Sequence, residues 1–330
     1  MPIETIEPIA DFAGLTAVVT GGGTGMGRQI TCQLAAEGCH VAICDVSQEN
    51  MDETRSRALA GAPVGTRVTT FIANVAEREA LDAFAVHVAE NFETNRLNLL
   101  FNNAGIAGGA SVVDQDEINW DRVFAVCWGG VLNGTRAFLP MLKASTRGHV
   151  TNTSSINGMW ACLGPYGAHT AYSAAKFAVK GFTEALIVDF RVNAPHLTAS
   201  VVMPGHIGTS IARNSYLEMG ADPKDLADEF IVQLRVDLAK RGLDVSGASD
   251  EDLRNLVALR IDVFENAAPT TAEQAAAIIL GGVRRGAWRI LVGDDAHALD
   301  RLLRERPEDA YTEEFLALLS ADAHFCGLIA

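Results

Sequence analysis

Tyr172 and Lys176 stand four residues apart, a spacing that puts both side chains on one face of a helix. A free tyrosine titrates at about pH 10 and is a poor base at neutral pH, whereas an ammonium beside it stabilises the phenolate. A tyrosine tuned in this way can take a proton from an alcohol or give one to a carbonyl oxygen. Ser154 and Ser155 close an apolar strand just upstream, where a hydroxyl can hold a reacting oxygen against the phenol. A Tyr-x-x-x-Lys pair alone occurs often by chance, so its weight depends on what the chain builds around it.

That surrounding is a nucleotide site. Thr20-Gly21-Gly22-Gly23-Thr24-Gly25-Met26-Gly27 follows the apolar run Ala17-Val18-Val19 and precedes a helical pattern. A strand entering a glycine turn and then a helix N-terminus suits a pyrophosphate, because backbone N–H groups and the helix dipole face the anion. The glycine spacing is wider than the common G-x-G-x-x-G fingerprint. Asp45 ends the second apolar strand, His40-Val41-Ala42-Ile43-Cys44, where its carboxylate can accept from both hydroxyls of an adenosine ribose. A 2′-phosphate there meets like charge, and no Lys or Arg lies between Gly21 and Met26 to offset it. NAD is therefore expected rather than NADP.

The elements that must position these groups alternate. Strand patterns at 15–20, 40–45, 67–73, 97–101, 149–154, 198–203 and 288–292 are separated by helical patterns at 25–37, 48–60, 77–92, 117–142, 171–191 and 271–285. Continuous apolar strands between helices predict an α/β fold, a doubly wound parallel sheet covered on both faces. The rhythm breaks after Gly208, where charged helical patterns at 222–241 and 249–264 occur without a strand. The expected organisation is an N-terminal tail (1–13), one Rossmann-type domain (14–292) with a helical insertion at about 209–267, and a C-terminal extension (293–330). An excursion at the carboxyl edge of such a sheet falls where ligands bind, so the insertion reads as a lid over the substrate.

Composition excludes several other functions. The chain has 330 residues, 48% of them hydrophobic, which suffices for a large core. A net charge of -15 repels phosphate backbones, so no nucleic-acid partner is expected. The six cysteines are scattered without a C-x-x-C pair, which argues against a zinc site or a disulfide framework and fits a reducing, cytoplasmic compartment. The eight histidines are dispersed and no metal site is expected. The N-terminus is acidic, unlike a signal peptide, and no apolar run is long enough to span a membrane.

Taken together, these motifs resemble a classical short-chain dehydrogenase/reductase. Thr20-Gly21-x-x-x-Gly25-x-Gly27, Asn102-Asn103-Ala104-Gly105, Asn152-Thr153-Ser154-Ser155, Tyr172-Ser173-Ala174-Ala175-Lys176 and Pro204-Gly205-His206-Ile207-Gly208-Thr209 occur in that family's order across residues 15–292. The resemblance implies catalysis by Ser155, Tyr172 and Lys176. Tyr172 would be the general acid or base, Lys176 would tune it and hold the nicotinamide ribose, and Ser155 would polarise the substrate oxygen. It places the cofactor against Gly21, Gly23, Thr24, Gly25, Met26, Gly27, Asp45, Asn74, Val75, Asn103, Ala104, Gly105, Tyr172, Lys176, Pro204, Gly205, Ile207 and Thr209. It also implies a homodimer or homotetramer formed through the helices at 117–142 and 171–191.

Three departures stand out. Cys127 occupies a position where the family usually has an asparagine that helps hold a proton-relaying water. Ser155 and Tyr172 are 172 − 155 = 17 residues apart, longer than usual, so 159–170 is expected to line the substrate mouth. Asn74 replaces a common aspartate. Large apolar residues near the site favour a bulky hydrophobic secondary alcohol or its ketone as substrate. Met159, Trp160, Tyr166, His206 and Tyr216 are the candidate contacts. Two other readings stay open: a non-catalytic NAD-binding regulatory or scaffold protein of the same fold, and an epimerase or dehydratase with transient hydride transfer.

Overall fold

The computed structural model describes residues 7–108, 111–113, 117–162, 169–240 and 242–322. Seven parallel strands form one sheet: β1 (Thr16–Thr20), β2 (His40–Asp45), β3 (Val68–Ile72), β4 (Leu99–Asn102), β5 (Gly148–Thr153), β6 (Leu197–Pro204) and, late in the chain, Arg289–Val292. Their order is β3-β2-β1-β4-β5-β6 with Arg289–Val292 beside β6. The direction of winding reverses between β1 and β4, and the crevice at the carboxyl ends of those two strands is where such sheets bind ligands.

The central strands are buried along their length because both faces of the sheet are covered, as in β1 and β5. Along β1, Ala17 and Val19 point to one core with Ile30 and Leu34 of α1 (Gly25–Ala36), while Val18 between them joins a second core. The second core holds Phe84 of α3 (Arg78–Phe92) and Leu186 and Phe190 of the helix Thr170–Asn193. Between these, α2 (Gln48–Ala60) starts on Ser47, whose hydroxyl accepts the Asn50 amide.

The long helix expected over 117–142 is interrupted. It comprises α4 (Glu117–Phe124), one π-helical turn (Ala125–Gly129) and α5 (Gly130–Ala144). The π turn carries Cys127 into the interior beside the site, in keeping with the common placement of such turns. The Thr170–Asn193 helix is α6. After β6 a two-residue strand, β7 (Ile207–Gly208), pairs in parallel with β8 (Thr270–Thr271), which brackets the excursion at its base. Between them lie α7 (Ile211–Glu218), α8 (Asp228–Lys240) and α9 (Asp250–Asn266). Of these, α7 and the β7–β8 pair have no counterpart in the sequence reading, being too short to leave a periodic signal. Capping boxes start α9, with Ser249 and Asp252, and α10 (Ala272–Arg284), with Thr271 and Gln274. The last sheet strand becomes β9, followed by α11 (Asp294–Glu305) and α12 (Glu313–Ala321).

His149 on β5 is fully enclosed, and burial pushes its pKa down to about 4. Thr198 directs its hydroxyl toward the Gly148 carbonyl at 3.4 Å, so at 2.7 Å it accepts from Nδ1–H of His149. Nε2 then faces the core as an unpaired acceptor among the described residues. The folded pKa lies below the unfolded value of about 6.5, so the stabilisation is intact above that value and is lost as pH falls toward 4. His149 alone should remove about 2 kcal/mol of stability between pH 7.5 and pH 5. Urea unfolding of the wild type and His149→Gln at both pH values checks this. Equal acid sensitivity in the two proteins would exclude His149 as a source.

Candidate active site

The glycine turn is built for close approach. Gly25 has φ +52°, and a side chain on Gly27 would place its Cβ 2.0 Å from the Gly21 carbonyl oxygen. Asp45 reaches across from the end of β2. One carboxylate oxygen accepts the Gly23 amide at 2.9 Å, and the other accepts the Val46 and Ser47 amides at 2.8 and 3.2 Å. Arg28, which the sequence reading did not single out, holds the turn from behind. Its guanidinium donates to the Gly23 carbonyl at 2.6 and 2.9 Å and to Thr54 Oγ1 at 2.9 Å, and pairs with Glu53 at 2.8 Å. This cation is thus committed to the protein and does not offset the Asp45 charge.

Thr20 and Asn103 join β1 to β4 at the crevice. Thr20 Oγ1 accepts the amides of Asn103 and Ala104 at 3.0 and 3.1 Å, and Asn103 Nδ2 donates to the Thr20 and Gly21 carbonyls. Gly21, Thr24, Gly25, Met26, Asp45, Asn103, Ala104, Gly105 and Thr209 line one cleft, with Ile211, Asn214, Ser215 and Glu218 of α7 across from them. Asn103 Oδ1 is buried there without a partner among the described residues. A carboxylate at one end, a crowded glycine turn and an orphaned acceptor fit a dinucleotide. Asn74, Val75, Pro204, Gly205 and Ile207 flank this cleft without lining it, and Asn74 spends its amide oxygen on the Ala76 amide at 3.1 Å.

The two serines of the sequence separate in role. Ser154 donates to the Lys176 carbonyl at 2.7 Å, which ties β5 to α6. Ser155, by contrast, lies close enough to Tyr172 to pull the phenol's pKa downward. Its Oγ accepts the Asn157 amide at 3.1 Å, which fixes the hydroxyl. Lys176 is 3% exposed, and its Nζ donates to the Thr153 carbonyl at 3.0 Å and lies 5.4 Å from the Tyr172 ring centre. Burial raises the Tyr172 phenol above its ordinary value, against the downward pull of Lys176 and Ser155. From the sequence, the ammonium alone argued for a lowered value. Folding buries the phenol, and desolvation wins. Cys127 sits opposite, its thiol 3.5 Å from the Ile106 carbonyl.

The candidate substrate residues divide. Trp160 is buried: its indole donates to the Ala310 carbonyl at 2.7 Å and packs on Phe315 of α12. Met159 packs against the same cluster. The indole is consumed by the C-terminal segment, whose packing no local pattern announced. Tyr166 lies outside the described residues. His206 stacks on Phe264 with ring centres 4.5 Å apart, and its Nε2 donates to the Phe264 carbonyl. Tyr216 and Phe264 line a second cavity of about 470 Å³ between α7, α8 and α9, which His169 reaches from the start of α6. Among the described residues no cluster of side chains fits a metal, and no helix is long and apolar enough to cross a membrane.

The Pro204–Thr209 segment depends on Asp295, which the sequence reading also missed. This carboxylate is 1% exposed, accepts the His206 amide at 2.6 Å and the Ala296 amide at 2.9 Å, and is held above its ordinary pKa by burial.

With this geometry, the chain belongs to the classical short-chain dehydrogenase/reductase family: the family model described as short chain dehydrogenase matches residues 15–219. It is an oxidoreductase of the kind that binds a nicotinamide cofactor and acts on CH–OH groups. It is 34% identical over 296 residues to SadH of Mycobacterium tuberculosis, a protein named as an oxidoreductase, covering 90% of this chain and 92% of that one. It is 31% identical over 234 residues to the levodione reductase of Leifsonia aquatica, covering 69% and 82% respectively. Among solved structures, a short-chain dehydrogenase/reductase from Burkholderia phymatum in complex with NAD superposes with a TM-score of 0.69 at 24% identity, covering 90% of this chain and 95% of that one.

Truncating Asp295 leaves two interior amides without an acceptor, each costing about 1–3 kcal/mol. Asp295→Ala is therefore expected to lose about 2–4 kcal/mol in urea unfolding at neutral pH. Unchanged stability would show that those amides find other acceptors.

Proposed function

We propose that this protein is an NAD-dependent dehydrogenase/reductase interconverting a bulky hydrophobic secondary alcohol and its ketone. The observation that carries the reading is the Ser155–Tyr172–Lys176 group, with Ser155 and Lys176 buried and Tyr172 partly buried, on the same edge of the sheet as the glycine turn and Asp45. A nicotinamide nucleotide, when bound, supplies the hydride acceptor or donor. Gly21, Gly23, Thr24, Gly25, Met26, Gly27, Asn103, Ala104, Gly105 and Thr209 would hold it, with Asp45 on the adenosine ribose. Asp45 spends acceptor capacity on the turn yet keeps lone pairs for ribose hydroxyls, and its charge opposes a 2′-phosphate.

The protein's own residues then handle the proton. Ser155 donates to the substrate oxygen and holds it at the phenol. In oxidation Tyr172 takes the hydroxyl proton as hydride leaves the carbinol carbon. In reduction it returns a proton to the oxygen. Lys176 stabilises the phenolate between these states and is itself held by the Thr153 carbonyl. Helices α7–α9 act as a lid: Asn214 donates to Thr24 Oγ1 at 3.1 Å and Ser215 accepts the Ala107 amide at 2.8 Å, so α7 bridges both walls of the cleft.

We also assign the chain to a reducing, cytoplasmic setting, supported by Cys32, Cys39, Cys44 and Cys127, which are free thiols. A homodimer or homotetramer through α6 is supported by Phe177, Val188 and Val192, which leave apolar surface exposed on that helix.

Tyr172→Phe should lower turnover about a hundredfold to ten-thousandfold, the usual share of a general acid–base. NADH absorbance with a panel of bulky secondary alcohols and ketones reads this, and undiminished turnover would sink the assignment. Because the phenol's value is raised, oxidation should climb with pH while ketone reduction stays flat and then falls. Lys176→Ala should push the oxidation limb further upward. Asp45→Ser should raise kcat/KM with NADP at least about tenfold while weakening NAD, since a like-charge contact is removed. Equal use of both cofactors by the wild type would contradict the NAD assignment.

A further inference from the structure

The cavity between α7, α8 and α9 is apolar along most of its wall, with Tyr216, Phe230, Leu234 and Phe264 among its lining. Its size falls within the range of small-molecule sites. At roughly 30 Å³ per heavy-atom group, the share of a water in the liquid, 470 Å³ holds about fifteen such groups. One end is marked by His169, the residue before α6 and three before Tyr172. The far side carries Arg260 of α9 and Asp237 of α8.

These two charges differ in availability. Asp237 accepts from Gln233 Nε2 at 2.9 Å, one turn back on the same helix, and has a further interaction. Arg260 is exposed and has no ion pair or hydrogen bond among the described residues, and it is the one cation among them lining this cavity. A guanidinium offers a planar fork of donors that matches a carboxylate. At the rim of an apolar chamber it suits a ligand with an apolar body and an anionic end.

We propose that Arg260 is an anion subsite, and that the substrate class is an oxo or hydroxy acid with an apolar body, its carbonyl or carbinol at Tyr172 and its carboxylate at Arg260. This deepens the dehydrogenase reading and rests on it. The apolar wall sets the length between the two ends, and Arg260 chooses the orientation. Asp237, held by Gln233, disfavours a second negative charge and so restricts the anion to one carboxylate.

The test uses matched probes on the full-length protein. Calorimetric titration with decanoate and with methyl decanoate reads the subsite without any turnover. Wild type should bind the acid about tenfold more tightly than the ester, and Arg260→Gln should erase that difference while leaving ester affinity unchanged. Leu234→Trp, which fills the chamber, should weaken both probes. In parallel, NADH-linked reduction of 9-oxodecanoate and its methyl ester should show a KM about tenfold lower for the acid in wild type, and equal values in Arg260→Gln. Equal affinity for acid and ester in wild type overturns the inference, as does an acid preference that survives either substitution. A preference for decanoate that vanishes in Arg260→Gln, with neither oxo compound turned over, would uphold the anion subsite and remove the dehydrogenase reading instead.

Discussion

An ammonium group cannot sit in a protein interior without company, and Lys176 has it in a very particular form. Its Nζ donates to the Thr153 carbonyl at the end of β5, and its own carbonyl accepts the Ser154 hydroxyl. Strand β5 and helix α6 are therefore joined at both ends of one residue. The cost of burying the charge is offset by that carbonyl and by the neighbouring phenol, whose charged form it favours. Ser155 lies one residue beyond this junction and meets Tyr172 because the strand and the helix are locked in register. A shift of either element would separate hydroxyl, phenol and ammonium together.

The other half of the site obeys a different constraint, which is space. The glycine turn is packed so tightly that the Gly21 carbonyl, Ile43, Asp45 and Ala104 fill the room where side chains would be. Such a turn exposes backbone amides and carries few internal restraints, so it is braced from outside. Asp45 takes one amide from the front, and Arg28 takes the Gly23 carbonyl from the back while paired with Glu53. The same Asp45 that supports the turn also gives the cleft its negative end. The turn's amides do not use up the lone pairs of that carboxylate, so it can still accept from the cleft.

Among the described residues, the chain after β9 shapes the site without lining the cleft. Asp295, at the start of α11, holds the His206 amide and so fixes the segment that carries Thr209 to the cleft. Trp160 is drawn into the cluster formed by α11 and α12. The loop that leaves Ser155 is thus anchored by a region far away in sequence. The helices between β7 and β8 meet the cleft walls through Asn214 and Ser215.

The sequence by itself determined the parallel sheet, because strands covered on both faces carry apolar runs without alternation, as in Ala17, Val18 and Val19. It also determined the glycine turn, the strand-end Asp45 and the Tyr172–Lys176 spacing, since these depend on neighbours within one or two turns of chain. What it did not carry were relations between distant segments. The choice between Ser154 and Ser155 rested on resemblance until the junction with α6 turned one inward and one toward the phenol. The withdrawal of Trp160, the bracing by Arg28 and Asp295, and the short helix α7 all arise from packing between elements that share no local pattern. The Tyr172 phenol makes the same point: an ammonium one turn away argues for a lowered pKa, and only the depth at which the fold buries the ring decides that desolvation prevails.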